Sequence, residues 1–378
     1  MMTLHSRALQ KTTIGLVCLI LFTGCYYQPS TPRGSFARGG DVGWLSEMEH
    51  DSVRFYDANG KEGDCLSIMQ EMGMNAIRLR VWVNHSTGWS NKPDVVYMAK
   101  RAAKQGLRVM IDFHYSDFFA DPAHQEIPAA WKDYNYEQLC EAVQAHTLDV
   151  LYALKEEGVK PEWVQIGNET PNGMLWPVGK VEMNPEKDPV KEAQWAQYAG
   201  LTIAGCKAAK EAFDDIITII HVDNAYLYRD WFFDELIGHG CKFDMIGLSH
   251  YPMMGEWSGL PWQEMNICAE ENVRKLIDTF HKPVMIAEVG IKNSDWKNGQ
   301  EVNPDSIAAL SNEVMTDFVN RVCAIDSCVG IFYWEPQCYG GWKPAEYIPL
   351  GWGSYQMGAL TPDGRPTPAL QTLFNAKK

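Results

Sequence analysis

Eight times along this chain a short apolar, β-rich run gives way to a longer stretch with helical periodicity, and that alternation constrains the fold more than any other feature. The runs lie at 36–44, 76–82, 108–116, 163–169, 217–224, 245–252, 283–290 and 330–336. Between them stand amphipathic or alanine-rich stretches such as 94–106, 136–158 and 308–325. Several of these close on a glycine just past the last apolar position, a common helix stop. Strands that alternate with helices lie parallel, because each helix carries the chain back across the sheet. Eight such units suit a closed barrel better than an open doubly wound sheet, so the expected fold is α/β, a (β/α)8 TIM barrel. A length of 378 residues fits such a barrel as one domain, and no shift in composition marks a second. No GxGxxG follows the first run and no GxxxxGKS or GxxxxGKT occurs, which argues against a nucleotide fold.

Barrel strands are buried on both faces, so apolar residues are expected throughout and polar exceptions carry the information. Here the exceptions cluster at the C-terminal ends of the runs, where barrel active sites lie. The second run ends IRLRVW, with Arg78 and Arg80 on one face by period-two alternation. The third ends with His114 and Asp117, the fourth with Asn168 and Glu169, and the fifth with Asp223 and Asn224. The sixth ends with His250 and Tyr251, the seventh with Glu288 and the eighth with Trp334. One such residue would be an ordinary salt-bridged rim group. Seven strand ends of this kind are hard to explain as packing, because a buried polar group costs free energy unless it is paired.

Two carboxylates facing each other across a barrel mouth are what glycoside hydrolysis requires. One acid protonates the leaving oxygen, and the second carboxylate attacks or activates water. Glu169 and Glu288, closing the fourth and seventh strands on opposite sides of the barrel, are the expected pair. Side chains reaching inward from those ends should come to about 5 Å apart, the separation of retaining enzymes. Arg80 and His114 are expected to keep the nucleophile ionised, Asn168 to donate to a sugar hydroxyl, and Tyr251 to hydrogen-bond the nucleophile. Trp334 is expected to floor the sugar site. Asp117, Asp223, Asn224 and His250 complete the candidate substrate-binding set. Glu335 points to the other face by alternation and is expected to be structural.

The net charge of −15 repels phosphate backbones and argues against nucleic acid as a ligand. The 14 Trp residues suit the apolar faces of sugars. Residues 1–25 are expected to be an export signal. Arg7 and Lys11 precede the apolar stretch Ile14 to Phe22, which is too short to span a bilayer. Thr23, Gly24 and Cys25 then resemble a bacterial lipobox, with Cys25 lipidated and the chain exported as an outer-membrane lipoprotein. Residues 26–35 (YYQPSTPRGS) read as a polar tether, and 36–378 as the barrel. The eight cysteines beyond the signal show no CxxC or Cys/His cluster, so zinc is not expected. Cys323 and Cys328 are close enough in sequence to pair, but buried free thiols fit equally well.

The segments GGDVGWLSEME with VRFYDANG, NAIRLRVW, VMIDFHYSDFFADP, WVQIGNETPNGMLWP, IGLSHYP, IAEVG and FYWEP together resemble glycoside hydrolase family 53, the endo-β-1,4-galactanases. The likeness runs from about residue 36 to 375 with the motifs in family order. It implies a (β/α)8 fold, retention of anomeric configuration, pectic galactan as substrate, Glu169 as acid/base and Glu288 as nucleophile. A monomeric enzyme is expected. Galactan is bent by its axial 4-oxygen, so a curved groove would select it, with Trp89, Trp176, Trp262 and Trp342 as candidate lining. The dyad alone would equally serve a xylanase, mannanase or glucanase, and a catalytically dead glycan-binding protein would be expected to lack one of the two carboxylates. Two features depart from the family pattern. His250 stands where a second aromatic is expected, which should alter that wall of the site. The stretch VGIKNSDWKNGQEVNPD after the seventh strand lacks the clustered oxygen ligands calcium needs, so no metal or cofactor is expected.

Overall fold

A computed structural model describes residues 26–253, 258–293, 296–297, 300–301, 304–339, 342, 344, 347 and 357–378. Eight parallel strands close into a barrel. They are β1 (Ala37–Asp41), β2 (Ala76–Val81), β3 (Arg108–Phe113), β4 (Trp163–Ile166), β5 (Ile217–Val222), β6 (Met245–His250), β7 (Val284–Val289) and β8 (Cys328–Trp334). Among the described residues a short helix, Leu45–His50, follows β1, and eight further α-helices pack around or below the barrel: α1 (Cys65–Glu71), α2 (Lys92–Lys104), α3 (Tyr136–Glu156), α4 (Pro189–Ala212), α5 (Asp230–Gly238), α6 (Trp262–Phe280), α7 (Pro304–Cys323) and α8 (Pro368–Phe374). The expected (β/α)8 TIM barrel is the fold observed.

Local chemistry sets the element ends. Asp64, Asp188 and Thr367 cap α1, α4 and α8 by accepting a backbone N–H, and Asn135 with Gln138 forms a reciprocal capping box on α3. All eight strands end one to three residues before the apolar runs suggest, and one backbone feature recurs past four of them. Past β3, β4, β5 and β8 stand Tyr115, Glu169, Asn224 and Glu335, each with positive φ (50°, 43°, 51° and 47°). A left-handed residue cannot continue a pleated strand, and such conformations cost about 1–3 kcal/mol unless the surroundings hold them. The chain therefore turns sharply where the candidate site residues begin.

The barrel interior has two layers of opposite character. At the N-terminal end one apolar side chain comes from every strand: Ala37, Ala76, Met110, Trp163, Ile219, Met245, Met285 and Phe332, forming a cluster separate from the strand–helix core. A Cβ on Gly39 would lie 2.1 Å from the Phe332 ring, so glycine there is what admits the phenyl group. Above this plug the interior is polar. Strand order also corrects the expectation that the fourth and seventh strands are diametrically opposed. They are separated by β5 and β6 on one side and by β8, β1, β2 and β3 on the other.

Residues 26–35 run along the N-terminal rim. Tyr27 N–H donates to Gly158 O (3.0 Å), Ser30 N–H to Gly106 O (2.8 Å), and Arg33 pairs with Asp215 (2.6 Å). All eight cysteines in the described residues are free thiols, Cys323 and Cys328 included. Cys25 and the rest of the expected signal lie outside the described residues.

Candidate active site

Arg78 organises the polar half of the barrel. Its Nη1 faces Asp41 from β1 and Glu288 Oε1 (2.9 Å) from β7. Its Nη2 faces Asp112 Oδ2 from β3 (2.8 Å) and donates to Asn168 Oδ1 (2.8 Å), and Nε donates to Gln165 Oε1 (3.2 Å). A guanidinium has five N–H groups, and here five side-chain oxygens lie within 3.2 Å of its three nitrogens. Burial alone would lower the Arg78 pKa, but the three carboxylates outweigh it and raise it, so the cation is permanent.

The expectation that Arg80 lies beside the Glu288 carboxylate is corrected. Alternation turns both arginines inward, but Arg80 sits one layer nearer the mouth. There its Nη1 pairs with Glu335, which also accepts from Trp44 N–H (3.1 Å) and from Gln337. The guanidinium lies 5.3, 5.2 and 4.6 Å from the ring centres of Trp44, Trp82 and Phe119, within cation–π range. Glu335 is fully buried, and burial pushes its carboxyl up to about 7 against the pull of Arg80. The expectation that Glu335 points to the other face is corrected, because its positive-φ turn brings the carboxyl to the inward Arg80.

Glu288 is the penultimate residue of β7 and is 4% exposed. Tyr251 donates its hydroxyl to Glu288 Oε2 at 2.6 Å, as expected from sequence. Burial raises the Glu288 pKa, while Arg78 and the Tyr251 hydrogen bond hold it down. Glu169 follows β4 across the turn Gly167–Asn168–Glu169. Its pKa is raised well above the carboxylate range, first by burial and then by the negative charges of Glu288 and Asp223. The two carboxyls are thus electrostatically coupled, and the environment favours a proton on Glu169.

The remaining predicted residues separate into those at the site and those that support it. Asn168 shares Arg78 with Glu288 and donates Nδ2 to Ala120 O (2.8 Å). The expectation that His114 sits on the Glu288 carboxylate is corrected, its ring nitrogens being taken by Asp112 and Ala120 N–H. It lies 2.9 Å from Asp112 and accepts from Ala120 N–H at 2.9 Å, so it braces a carboxylate that braces Arg78. Asp223 pairs with Arg229 at 2.8 Å and accepts from Asn224, which makes Asn224 a prop for Asp223. Asp117 is corrected to a loop staple, its two oxygens taking the backbone N–H groups of Asn84 (3.0 Å) and Ala129 (2.8 Å).

His250 is also corrected. It is fully buried on the outward face of β6, where Nε2 meets Asn266 Oδ1 of α6 at 2.8 Å and the ring stacks on Phe318 of α7 (4.3 Å). It is therefore not a wall of the site. The inward residue is its neighbour Ser249.

Trp334 and Trp342 each pack edge-on against Trp44 at 5.5 Å, and Trp342 Nε1 donates to Asp51 (2.9 Å). These rings build an aromatic wall beside Arg80. Of the other tryptophans, Trp89 rests on His50 (5.4 Å) and Trp176 is covered by Lys180 (4.6 Å), while Trp262 opens α6.

Sequence reading missed Asp41, Asp112, Gln165, His221 and Ser249. Each is buried on an inward strand position; Asp112, Gln165, His221 and Ser249 lie two or four residues before His114, Glu169, Asp223 and Tyr251, and Asp41 closes β1 itself. Among the described residues no three His, Cys, Asp or Glu side chains converge on a metal position. The side chains of 294–305, most of the stretch considered for calcium, lie outside the described residues.

Comparison with known proteins agrees with this arrangement. The family model "Glycosyl hydrolase family 53" matches residues 37–373. An arabinogalactan endo-β-1,4-galactanase of Thermothelomyces thermophilus is 32% identical over 311 residues, covering 78% of this chain and 88% of that one. An endo-β-1,4-galactanase of Bacillus subtilis is 28% identical over 394 residues, covering 90% of this chain and 86% of that one. Among solved structures, the GH53 catalytic domain of Ignisphaera aggregans superposes with a TM-score of 0.76 at 29% identity, covering 93% and 98% of the two chains. A fungal β-1,4-galactanase superposes with a TM-score of 0.75 at 28% identity, covering 90% of this chain and 99% of that one. The chain belongs to glycosyl hydrolase family 53.

Proposed function

We propose that this glycosidase is an endo-β-1,4-galactanase that cuts internal bonds of pectic galactan with retention, using Glu169 as acid/base and Glu288 as nucleophile. One observation carries the role assignment: Arg78 and Tyr251 both bind the Glu288 carboxyl, whereas Glu169 faces two negative charges. Environments that push two carboxyls apart assign acid and nucleophile. The named galactanases among the relatives support the substrate.

In the first half-reaction a Glu288 oxygen bonds to the anomeric carbon. The bond from that carbon to the glycosidic oxygen breaks, and the oxygen takes the Glu169 proton. As Glu288 loses its charge to the ester, Tyr251 and Arg78 remain in place to receive that charge again. In the second half-reaction Glu169, now a carboxylate, takes a proton from water whose oxygen attacks the anomeric carbon and releases Glu288. Two inversions leave the β-configuration.

The test is to incubate the protein with galactan, arabinan, xylan and mannan and to follow the products by proton NMR within minutes. Galactan should be depolymerised selectively with the β-anomer rising first. An initial α-anomer would overturn the double displacement, and equal turnover of xylan or mannan would overturn the substrate.

The same reading includes export and anchoring through Cys25. The path of residues 26–35 supports it, because the chain leaves the barrel at the N-terminal rim, opposite the site. An anchor there would hold the catalytic face away from the membrane. Cys25→Ala should move the protein to the soluble fraction or block its maturation. Wild-type fractionation of that variant would refute the anchor.

A further inference from the structure

The polar interior contains a buried pair that the proposed mechanism does not use, His221 of β5 and Ser249 of β6, both fully inaccessible. Glu169 N–H donates to His221 Nδ1 at 3.3 Å, and Gln165 Nε2 lies 3.0 Å from the same nitrogen. Asn168 Oδ1 is also 3.0 Å away, but it already accepts from Arg78 and Gln165. Gln165 Nε2 has a nearer acceptor in Asp112 Oδ1 (2.6 Å), but the Glu169 N–H aimed at Nδ1 is enough to place the ring proton on Nε2. Nε2 lies 2.9 Å from Ser249 Oγ. The ring is neutral, because burial and the cationic Arg78 both oppose a second proton.

Ser249 lies four residues past the inward Met245, so alternation alone turns it to the interior, and an irregularity of the neighbouring strand sets Glu288 beside it. The β6–β7 register shifts between Leu248 and Ser249, so Leu248 pairs with Ile286 but Ser249 pairs with Glu288. A bulge of this kind re-aims a side chain. Here the extra residue is Ala287 of β7, so the bulge turns Glu288 inward and level with Ser249, whose hydroxyl favours the charged form of Glu169. With its oxygen accepting from His221, the serine turns its own proton toward Glu169.

We infer that Ser249, oriented by His221, is the positioning residue for the acid/base, holding the Glu169 carboxylate in place for the second half-reaction. The inference rests on Glu169 being the acid/base. The charged and titratable groups facing Glu169 are Glu288 of β7, Asp223 beyond β5, Asp121 from the loop after β3, and the Tyr251 phenol beyond β6. The carboxylates among them, like burial, favour the protonated form, which serves glycosylation and opposes water activation. A donor that binds the charged form favours it. Ser249 is therefore the counterweight that lets one residue act first as acid and then as base.

The test compares wild type with Ser249→Ala, Ser249→Cys and Ser249→Thr. Galactan is used for the pH profile, and an aryl β-1,4-galactobioside with an activated leaving group, whose turnover is limited by deglycosylation, is used for kcat. Ser249→Ala should move the alkaline limb of kcat/KM up by about one pH unit, the size of one lost hydrogen bond to a charge. Its kcat on the aryl substrate should fall about 10-fold. The thiol of Ser249→Cys is a weak donor and should give a smaller shift, and Ser249→Thr should restore the wild-type limb. An unmoved alkaline limb in both Ser249→Ala and Ser249→Cys, whatever the loss of rate, would overturn the inference, as would equal shifts in all three variants. Glu169→Ala assayed on the aryl substrate with and without azide separates the two layers. Failure of azide to restore turnover there would count against Glu169 itself.

Discussion

The two halves of the barrel interior are built from the same eight strands by the same alternation, yet they differ completely in chemistry. Near the N-terminal ends, Ala76, Met110, Trp163, Ile219 and Phe332 fill the barrel with apolar surface. Two residues further along the same strands, about 7 Å away, stand Arg78, Asp112, Gln165, His221 and Trp334. The lower layer is close-packed and needs only complementary volume, as Gly39 beneath Phe332 illustrates. The upper layer holds charges that water would solvate better, so each must find a partner or shift its pKa. The lesson is a division of labour along each strand: the first inward residue closes the barrel, and those that follow spend part of the resulting stability on holding reactive groups in a dry site.

Replacing the reactive groups should give the largest effect. Glu169→Ala should lower turnover of galactan by about 10²–10⁴-fold, and Glu288→Ala should lower it further by removing the covalent route. Neither should lower the melting temperature appreciably, because burial already penalises both carboxylates. Near-normal turnover by either variant, or unfolding of both, would erase the distinction between the layers.

Arg78→Met comes next and should damage both activity and fold. It leaves Asp41, Asp112 and Glu288 without their shared cation, and breaking a buried pair typically costs about 3–5 kcal/mol. Denaturant unfolding together with galactan turnover would show it. A stable, active Arg78→Met protein would mean that the upper layer does not depend on this charge.

Phe332→Ala, in the lower layer, should have the smallest effect on catalysis. A loss of about 3–5 kcal/mol in stability is expected from the cavity, with the pH profile of kcat/KM unchanged wherever the protein is folded. A moved pH limb would show that the plug also tunes the site, which would sharpen the comparison into a coupling between layers.

Much of this was legible in the chain. Eight apolar runs and the helical periodicity between them define the barrel, because period 2 and period 3.6 are properties of local backbone geometry. The ends of those runs mark the mouth, and Glu169, Glu288 and Tyr251 were found there by position alone. The boundaries were less legible. Tyr115, Glu169, Asn224 and Glu335 end their strands by adopting positive φ, which no propensity of Tyr or Glu announces.

What only the tertiary structure decided is which polar group meets which. Local alternation places Arg78 and Arg80 on one face, but the shear of the closed barrel sets Arg78 level with Glu288 and delivers Arg80 to Glu335, more than 250 residues away. A register shift between β6 and β7, with Ala287 the extra residue, turns Glu288 to the site three residues past the inward Met285, while His250 stays packed against α6 and α7. Side-chain direction inverts with every residue of slip, and slip is set between strands rather than within them. The sequence by itself therefore determined the barrel and its two carboxylates. The pairing that gives Glu288 its cation and leaves Glu169 facing negative charges was settled only when eight strands closed on a common register.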